Sequence, residues 1–376
     1  MPASVRTVAT QGNKRFGRAP AAAENVRVLR SSVFRATGKG APAEHTGAEV
    51  PLHLDALSRM LLIPWAGVLI ALLVISAALA VASPYFLSTE NIFGTVAVYF
   101  SWICIAGFGE AIVMIGGGLD LAVGSTMGLS GMICCLALSA GASLWLAILT
   151  ALSAGLTIGL VNALAITRIR LNPFIATLGS LSIVRGLTYG IVQGAAITPP
   201  DDAAGRVFSW LGNGAVGPVP IPVLIMLAIG LALVVVMNQT RFGRHIYAVG
   251  GNEAAALLLG LKVNRIKLAM YLVSGLLSAL GGVLLAAKAG TALPDAATGY
   301  ELEVIAAVII GGTSLYGGRG TIPGVLIGAA LLGVINNGIV LLGLAGYWQQ
   351  LITGLVIAAA ATLDVARQRL EAWRRA

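Results

Sequence analysis

The chain has 376 residues, of which 57% are hydrophobic and 10% charged, far from the mix of a soluble domain, where about 25% of residues are charged. A water-soluble enzyme of this length is excluded, because it would lack the charge needed to cover its surface. The formal charge of +9 does not point to nucleic acid, because of where the charge lies.

Residues 1–60 hold nine Lys/Arg against four acids, a surplus of five. They are rich in Ala, Ser, Gly and Pro and show no helical period, so they read as a disordered cytoplasmic tail. The Arg-rich start is compatible with a transit peptide, and Met60, just before the first apolar run, with a start further downstream. No short apolar core with a cleavage site marks a removable signal peptide.

From residue 61 onward the apolar runs approach the roughly 20 residues that cross a bilayer. Ten spans are predicted, at 61–81, 92–115, 121–141, 144–166, 173–193, 221–238, 266–287, 302–313, 322–343 and 347–364, followed by a tail at 365–376. The expected fold class is an all-α polytopic membrane protein. Basic residues alternate between connections as the positive-inside rule requires. Arg168 and Arg170 follow the fourth span. Arg241, Arg244, Lys262, Arg265 and Lys267 follow the sixth, Arg319 the eighth, and four arginines close the chain. The opposite connections hold only Arg206, beside Asp201 and Asp202, and Lys288. Both termini are therefore expected in the cytoplasm.

Motifs for chemistry are missing. Cys104, Cys134 and Cys135 lie in apolar runs, where a thiol packs as a small hydrophobe. No HxxxH or CxxC suggests a metal, and no phosphate-binding GxxxxGK[ST] is present. GGRGT at 317–321 lacks the lysine, follows a span rather than a strand, and reads as a tight inter-helix turn. No intrinsic enzymatic activity is expected, and ATP, if used, belongs to another polypeptide.

Polar residues within the spans are the remaining lead, since a charge in hydrocarbon costs about 3 kcal/mol or more. Glu110, Asp120, Arg185, Glu301 and Glu303 are the charged ones. Asp120, after three glycines, reads either as a cap on the third span or as part of a discontinuous helix lining a pathway. Ser125, Asn162, Asn172, Phe174, Asn336 and Asn337 are further pathway candidates, and each Asn could equally tie helix to helix. The pairs Gly155/Gly159 and Gly324/Gly328 fit close helix packing.

The segment TRFGRHIYAVGGNEAAALLLG (240–260) stands between two apolar runs, within a connection spanning 239–265. Asn252 is a good N-cap, Glu253 falls in the first turn where the helix dipole favours an anion, and Gly260 suits the residue after the helix. The enclosed EAAALLL makes about two turns, too short to be stable alone in water. It is either an amphipathic loop on membrane lipid or a docking helix for a soluble partner.

Four blocks carry a family resemblance: GGGLDLAVGSTMGLSGM (116–132), NPFIATLGSLSIVRGL (172–187), the segment 240–282, and 299–339 followed by YWQQLITGLVI (347–357). Together, in this order, they resemble the membrane subunits of bacterial ATP-binding-cassette sugar importers of the ribose type. The resemblance implies a bundle like that of type II ABC importers, in the inner membrane, working as a dimer of identical or different permease subunits. It implies a separate ATPase subunit that binds ATP and Mg²⁺, with no cofactor in this chain, and a periplasmic solute-binding protein that supplies specificity. Carried over residue by residue, Arg241, Phe242, Gly243, Gly250, Gly251, Asn252, Glu253, Ala254, Ala255 and Gly260 match the loop that couples to the ATPase. Leu258 and Leu259 depart from it, where relatives often carry a charged or small polar residue. The outer loops 194–220 and 288–301, with Asp201, Asp202, Arg206, Lys288 and Asp295, become the docking surface for the binding protein. A branched-chain amino-acid permease, an ion-coupled transporter using Glu110 and Asp120, and a membrane scaffold are the rival readings.

Overall fold

A computed structural model describes residues 65–345, 347–356, 358, 359 and 362. The predicted tails at 1–60 and 365–376 lie outside the described residues, as does part of the predicted span at 347–364. The described chain is mostly helical. Helix α1 runs Ala66–Ala82. A π-helical stretch, Glu90–Ala97, continues without a break into α2, Val98–Ile115. There follow α3 (Val123–Ser139), α4 (Leu144–Thr167) and α5 (Pro173–Val192). Beyond them come α6 (Ala203–Asn213), a two-residue-per-strand hairpin of β1 (Ala215–Val216) and β2 (Val219–Pro220), and α7 (Ile221–Gln239). The connection after α7 holds α8 (Arg241–Gly251) and α9 (Glu253–Leu258), and the last helices are α10 (Val263–Ala289), α11 (Tyr300–Ile310) and α12 (Ile322–Leu341).

Among the described residues, six helices are long and apolar enough to cross a membrane: Glu90–Ile115, α4, α5, α7, α10 and α12. Helices α1 and α3 are apolar but shorter, at 17 residues each. Helix α11 has 11 residues, about 16 Å at 1.5 Å per residue, roughly half of a hydrocarbon core. Among the described residues the expected spans fall on helices, and at two of the connections between them the chain makes a buried turn. Gly116–Gly118 end α2, and the chain turns back far enough that the Asp120 amide reaches Glu110, ten residues earlier, before α3 begins. Gly311 and Gly312 end α11 in the same way, and residues 313–321 lead back into α12. Non-helical backbone at such depth persists only where protein covers it, and Leu121, Ala122, Thr313 and Ser314 are all buried.

The loop 194–220 is not irregular throughout, as the sequence reading had left it. Helix α6 forms there, started by Asp202, whose carboxylate accepts the Gly205 amide at 2.8 Å, and it packs on the end of α10.

Helix α10 lies at the centre, against α2, α3, α4 and α6. In lipid no hydrophobic force drives helices together, so close van der Waals fit must supply the attraction. Glycines supply the closeness. A Cβ on Gly155 would collide with the Gly275 carbonyl, one on Gly159 with the Tyr271 carbonyl, and one on Gly131 would stand 2.8 Å from the Gly282 carbonyl. Gly328 meets the Ala307 carbonyl in the α11–α12 crossing, and Gly324 meets Gly311. Both predicted small-residue pairs thus sit in helix crossings. The faces of α4 and α5 turned away from α10 carry exposed Trp145, Leu149, Leu160, Ile175, Ile183 and Leu187, suited to lipid or to another membrane helix.

Replacing Gly155 with Val should force α4 off α10 and cost about 1–3 kcal/mol or more. Gly67→Ala, where a Cβ meets nothing within 4 Å, should leave stability unchanged. Thermal unfolding of the two purified variants in mild detergent checks the contrast, and equal midpoints would refute the glycine-contact account.

Candidate functional site

The predicted functional residues fall into four clusters, with Asn172 and Phe174 apart from them at the start of α5. The first is the α8–α9 corner. Thr240 caps α8 through its hydroxyl to the Gly243 amide (3.3 Å), and the chain bends so tightly after α7 that a Cβ on Gly243 would strike the Met237 backbone. Arg241 and Phe242 occupy this first turn. At the far end of α8, Gly250 presses against the Ile115 carbonyl and the Gly318 amide. The Gly318 amide itself donates to the Ile115 carbonyl at 2.8 Å, and the Tyr247 hydroxyl donates to the Gly320 carbonyl at 2.8 Å. Burial raises the Tyr247 phenol above its ordinary value, so it stays a neutral donor. The end of α2, α8 and the turn before α12 are therefore locked together, on the side where the basic connections were expected to meet.

Gly251 stands in open space and the chain turns there into α9. The Asn252 side chain accepts the Ala255 amide at 2.9 Å, as its N-cap position predicted. Gly260 follows the helix at φ +78°, a left-handed conformation that glycine adopts without strain. Glu253 has a role the sequence did not disclose: both its oxygens receive the Lys267 ammonium at 2.8 Å, binding α9 to the base of α10. Ala256 is buried beneath α9, while Ala254 is exposed and Ala255 half-buried. Leu257, Leu258 and Leu259 are 56%, 90% and 80% exposed. A two-turn helix thus stands on a rigid seat with its leucines outward.

The second place is a buried polar knot where the chain doubles back after α2. Asp120 accepts the Ser274 hydroxyl of α10 at 2.9 Å, the Ala122 amide at 3.1 Å and the Asn162 side chain of α4 at 3.5 Å, while its own amide donates to Glu110 at 3.2 Å. The Tyr271 hydroxyl donates to the neighbouring Leu119 carbonyl. Ser125 is fully buried and donates to the Ala122 carbonyl. Asp120 does not cap α3, whose N-cap is Ala122 without a side-chain cap; it braces the turn before that helix through the Ala122 amide and ties α2, α4 and α10 to one point.

Asn336 and Asn337 belong to a third place. The Tyr99 hydroxyl donates to Glu303 at 2.7 Å and accepts Asn336 at 3.1 Å and Gln349 at 3.5 Å. Asn337 and Asn91 exchange two hydrogen bonds, at 2.7 and 3.0 Å. Asn172 and Phe174 lie apart from both knots at the start of α5. There Asn172 accepts the Phe174 amide at 2.9 Å, ahead of Pro173, and Phe174 is exposed. The seven pathway candidates therefore line no single channel within this one chain.

The fourth place is the opposite end of the bundle. Loops 194–220 and 288–301 are joined there by a two-way backbone bridge between Ile197 and Ala292. Asp201 pairs with Arg206 at 3.7 Å with both side chains largely exposed, an arrangement that contributes little stability. Lys288 borders a cleft of about 390 Å³ with Glu90 and Asn213, and Asp295 is exposed beyond it. Tyr99, Tyr271 and Ser274 were missed by the sequence reading. A lone hydroxyl in an apolar run carries no spacing signal when its partner is 152 or more residues away.

Among the described residues no group of three or more His, Cys, Asp or Glu could hold a metal ion. A bundle of apolar helices with buried polar knots and glycine-built crossings defines a multi-pass membrane protein. The chain belongs to the permease-component family described as the branched-chain amino acid transport system / permease component, whose model matches residues 91–361. It is 40% identical over 300 residues to the ribose import permease protein RbsC of Escherichia coli (strain K12), covering 80% of this chain and 93% of that one. The ribose import permease protein RbsC of Bacillus subtilis (strain 168) is 39% identical over 316 residues, 83% and 95% of the two chains. The L-arabinose transport system permease protein AraH of Escherichia coli (strain K12) is 34% identical over 305 residues, 81% and 91%. No solved structure matches the chain.

Asp120→Ala should strand the Ser274 hydroxyl and the Ala122 amide and destabilise the fold by about 1–3 kcal/mol per orphaned group. Asp120→Asn keeps an acceptor for the amide and a group that the rotatable Ser274 hydroxyl can meet, so it should stay near wild type. Thermal unfolding separates the two. An Asn variant that folds normally yet fails in transport would show that the carboxylate charge itself is used.

Proposed function

We propose that this chain is the membrane-spanning subunit of an ATP-driven importer for a monosaccharide or related polyol. The observation that carries the reading is the α8–α9 corner: a short helix held by Gly250, Asn252 and Glu253 on a rigid base, with Leu257, Leu258 and Leu259 exposed. Isolated, so short a helix would not persist in water, and its leucines have no partner within the described chain. A groove on a cytoplasmic ATPase subunit would cover them. That subunit binds ATP and Mg²⁺, and its closure pushes on α9, which passes the motion through the Gly250 contact to the ends of α2 and α12.

A second permease subunit, identical or not, faces this one across the uncovered faces of α4 and α5, and the sugar passes between the two by alternating access. Phe174, at the start of α5, is placed for that passage. Asp120, Ser125 and Asn162 serve it by holding the interrupted α2–α3 turn in shape. A periplasmic binding protein delivers the solute to the opposite end, where Asp201, Asp202, Arg206, Lys288 and Asp295 are gathered. Both termini then lie in the cytoplasm.

Leu258→Arg should leave the protein in the membrane, abolish solute uptake by at least tenfold, and release the ATPase subunit from a mild-detergent pull-down. Uptake and capture both unchanged would remove α9 from the coupling role. The family's description names branched-chain amino acids, whereas the relatives are named for ribose and arabinose, so competition decides between them. Unlabelled pentoses should block uptake of labelled solute in membrane vesicles, and leucine should not.

A further inference from the structure

The base of the α8–α9 corner holds a second feature that the coupling role leaves unused. A cleft of about 390 Å³ opens between the start of α8 and the start of α10. Its rim carries His245, Lys262 and Arg265, and its floor is Phe242, Ile266 and Ala269. No carboxylate lines it. Neither Lys262 nor Arg265 takes part in the ion pairs Arg206–Asp201 and Lys267–Glu253. Lys267, one turn from the cleft, is already neutralised by Glu253 at 2.8 Å.

The position of the cleft decides its occupant. Phe242 follows the end of the α7 span at Gln239 by three residues, and Ile266 and Ala269 lie in the first two turns of the 27-residue α10 span. The apolar floor thus borders the ends of two helices long and apolar enough to cross a membrane, and the cationic rim stands at those ends. We propose that this cleft binds one anionic phospholipid, with its phosphodiester between Lys262, Arg265 and His245 and an acyl chain against Phe242, Ile266 and Ala269. Basic clefts between helix ends suit anionic headgroups, which each nearby Lys or Arg attracts. A free phosphate would satisfy the rim but not the floor. The inference rests on α7 and α10 crossing a membrane, and not on what is transported.

The test is native mass spectrometry of the full chain released from nanodiscs of phosphatidylglycerol or phosphatidylcholine. Wild type should retain one phosphatidylglycerol per chain and no phosphatidylcholine under the same activation. The triple variant H245Q/K262Q/R265Q should lose that lipid at least tenfold more readily, whereas Lys262→Arg should keep it. Ala269→Trp, which fills the floor and leaves every charge, should also lose it. Equal retention of both lipids, or retention by the triple variant, overturns the proposal. Displacement by 10 mM inorganic phosphate (roughly the level at which a weak ion site fills) overturns it too, by reducing the site to an ion site. Unchanged thermal unfolding of each variant in detergent confirms that loss of lipid is not loss of fold.

Discussion

The structure depends on how closely α10 can approach its neighbours. In a bilayer a leucine gains nothing by leaving lipid for another leucine, so a bundle holds together through fit and through hydrogen bonds. Gly155, Gly159 and Gly275 let α4 and α10 meet backbone to backbone, and Gly131 with Gly282 does the same for α3. Only at that separation can Ser274 of α10 reach Asp120, and Tyr271 reach Leu119. The buried knot is thus a product of the glycine contacts. It in turn holds a stretch of non-helical chain, buried at Leu121 and Ala122, by hydrogen bonds within the protein.

Interruption of two helices is the price of that arrangement and also its use. Helices α3 and α11 start or stop inside the bundle, so the turns that flank them bring α2, α8 and the start of α12 to a common seat at one end. Gly250, Gly318 and the Ile115 carbonyl are the contact. A push on α9 has a short and stiff route into two membrane helices, which is what a coupling element requires. At the other end, α6 and the Ile197–Ala292 bridge give the two long loops a fixed shape, as a docking surface needs. The two ends have opposite character. One is basic and locked by backbone contacts, the other mixed in charge and built from a helix, a hairpin and a bridge.

The local grammar of the 240–260 segment was readable from residues alone. Asn252 as N-cap, Glu253 in the first turn and Gly260 beyond the last are choices made by two turns of chain, and such choices do not need the rest of the protein. Reading Glu253 only as a dipole partner was incomplete, because Lys267 comes to it from the next helix, 14 residues on. The seven pathway candidates illustrate the opposite case. As polar residues in apolar runs they looked alike, yet Asp120, Ser125 and Asn162 are buried in one knot, Asn336 and Asn337 in another, and Phe174 is exposed at a helix start. Nothing in a span's own pattern says which face meets lipid and which meets protein when both are equally apolar.

What the sequence by itself determined is the class and the axial plan. Apolar run length marked the helices of the described residues and glycine pairs marked their crossings, while the alternation of Lys and Arg gives an expectation for the sides of the connections. These follow because the bilayer imposes one fixed thickness and forbids unsatisfied backbone, so length and charge are enough. Tertiary structure alone decided that α3 and α11 fall short of full spans, that Tyr99, Ser274 and Tyr271 complete the polar knots, and that GGRGT forms the seat of α8. Tyr99, Tyr271 and Ser274 reach partners 152 or more residues away, and a hydrogen bond across that interval leaves no periodic trace in the chain.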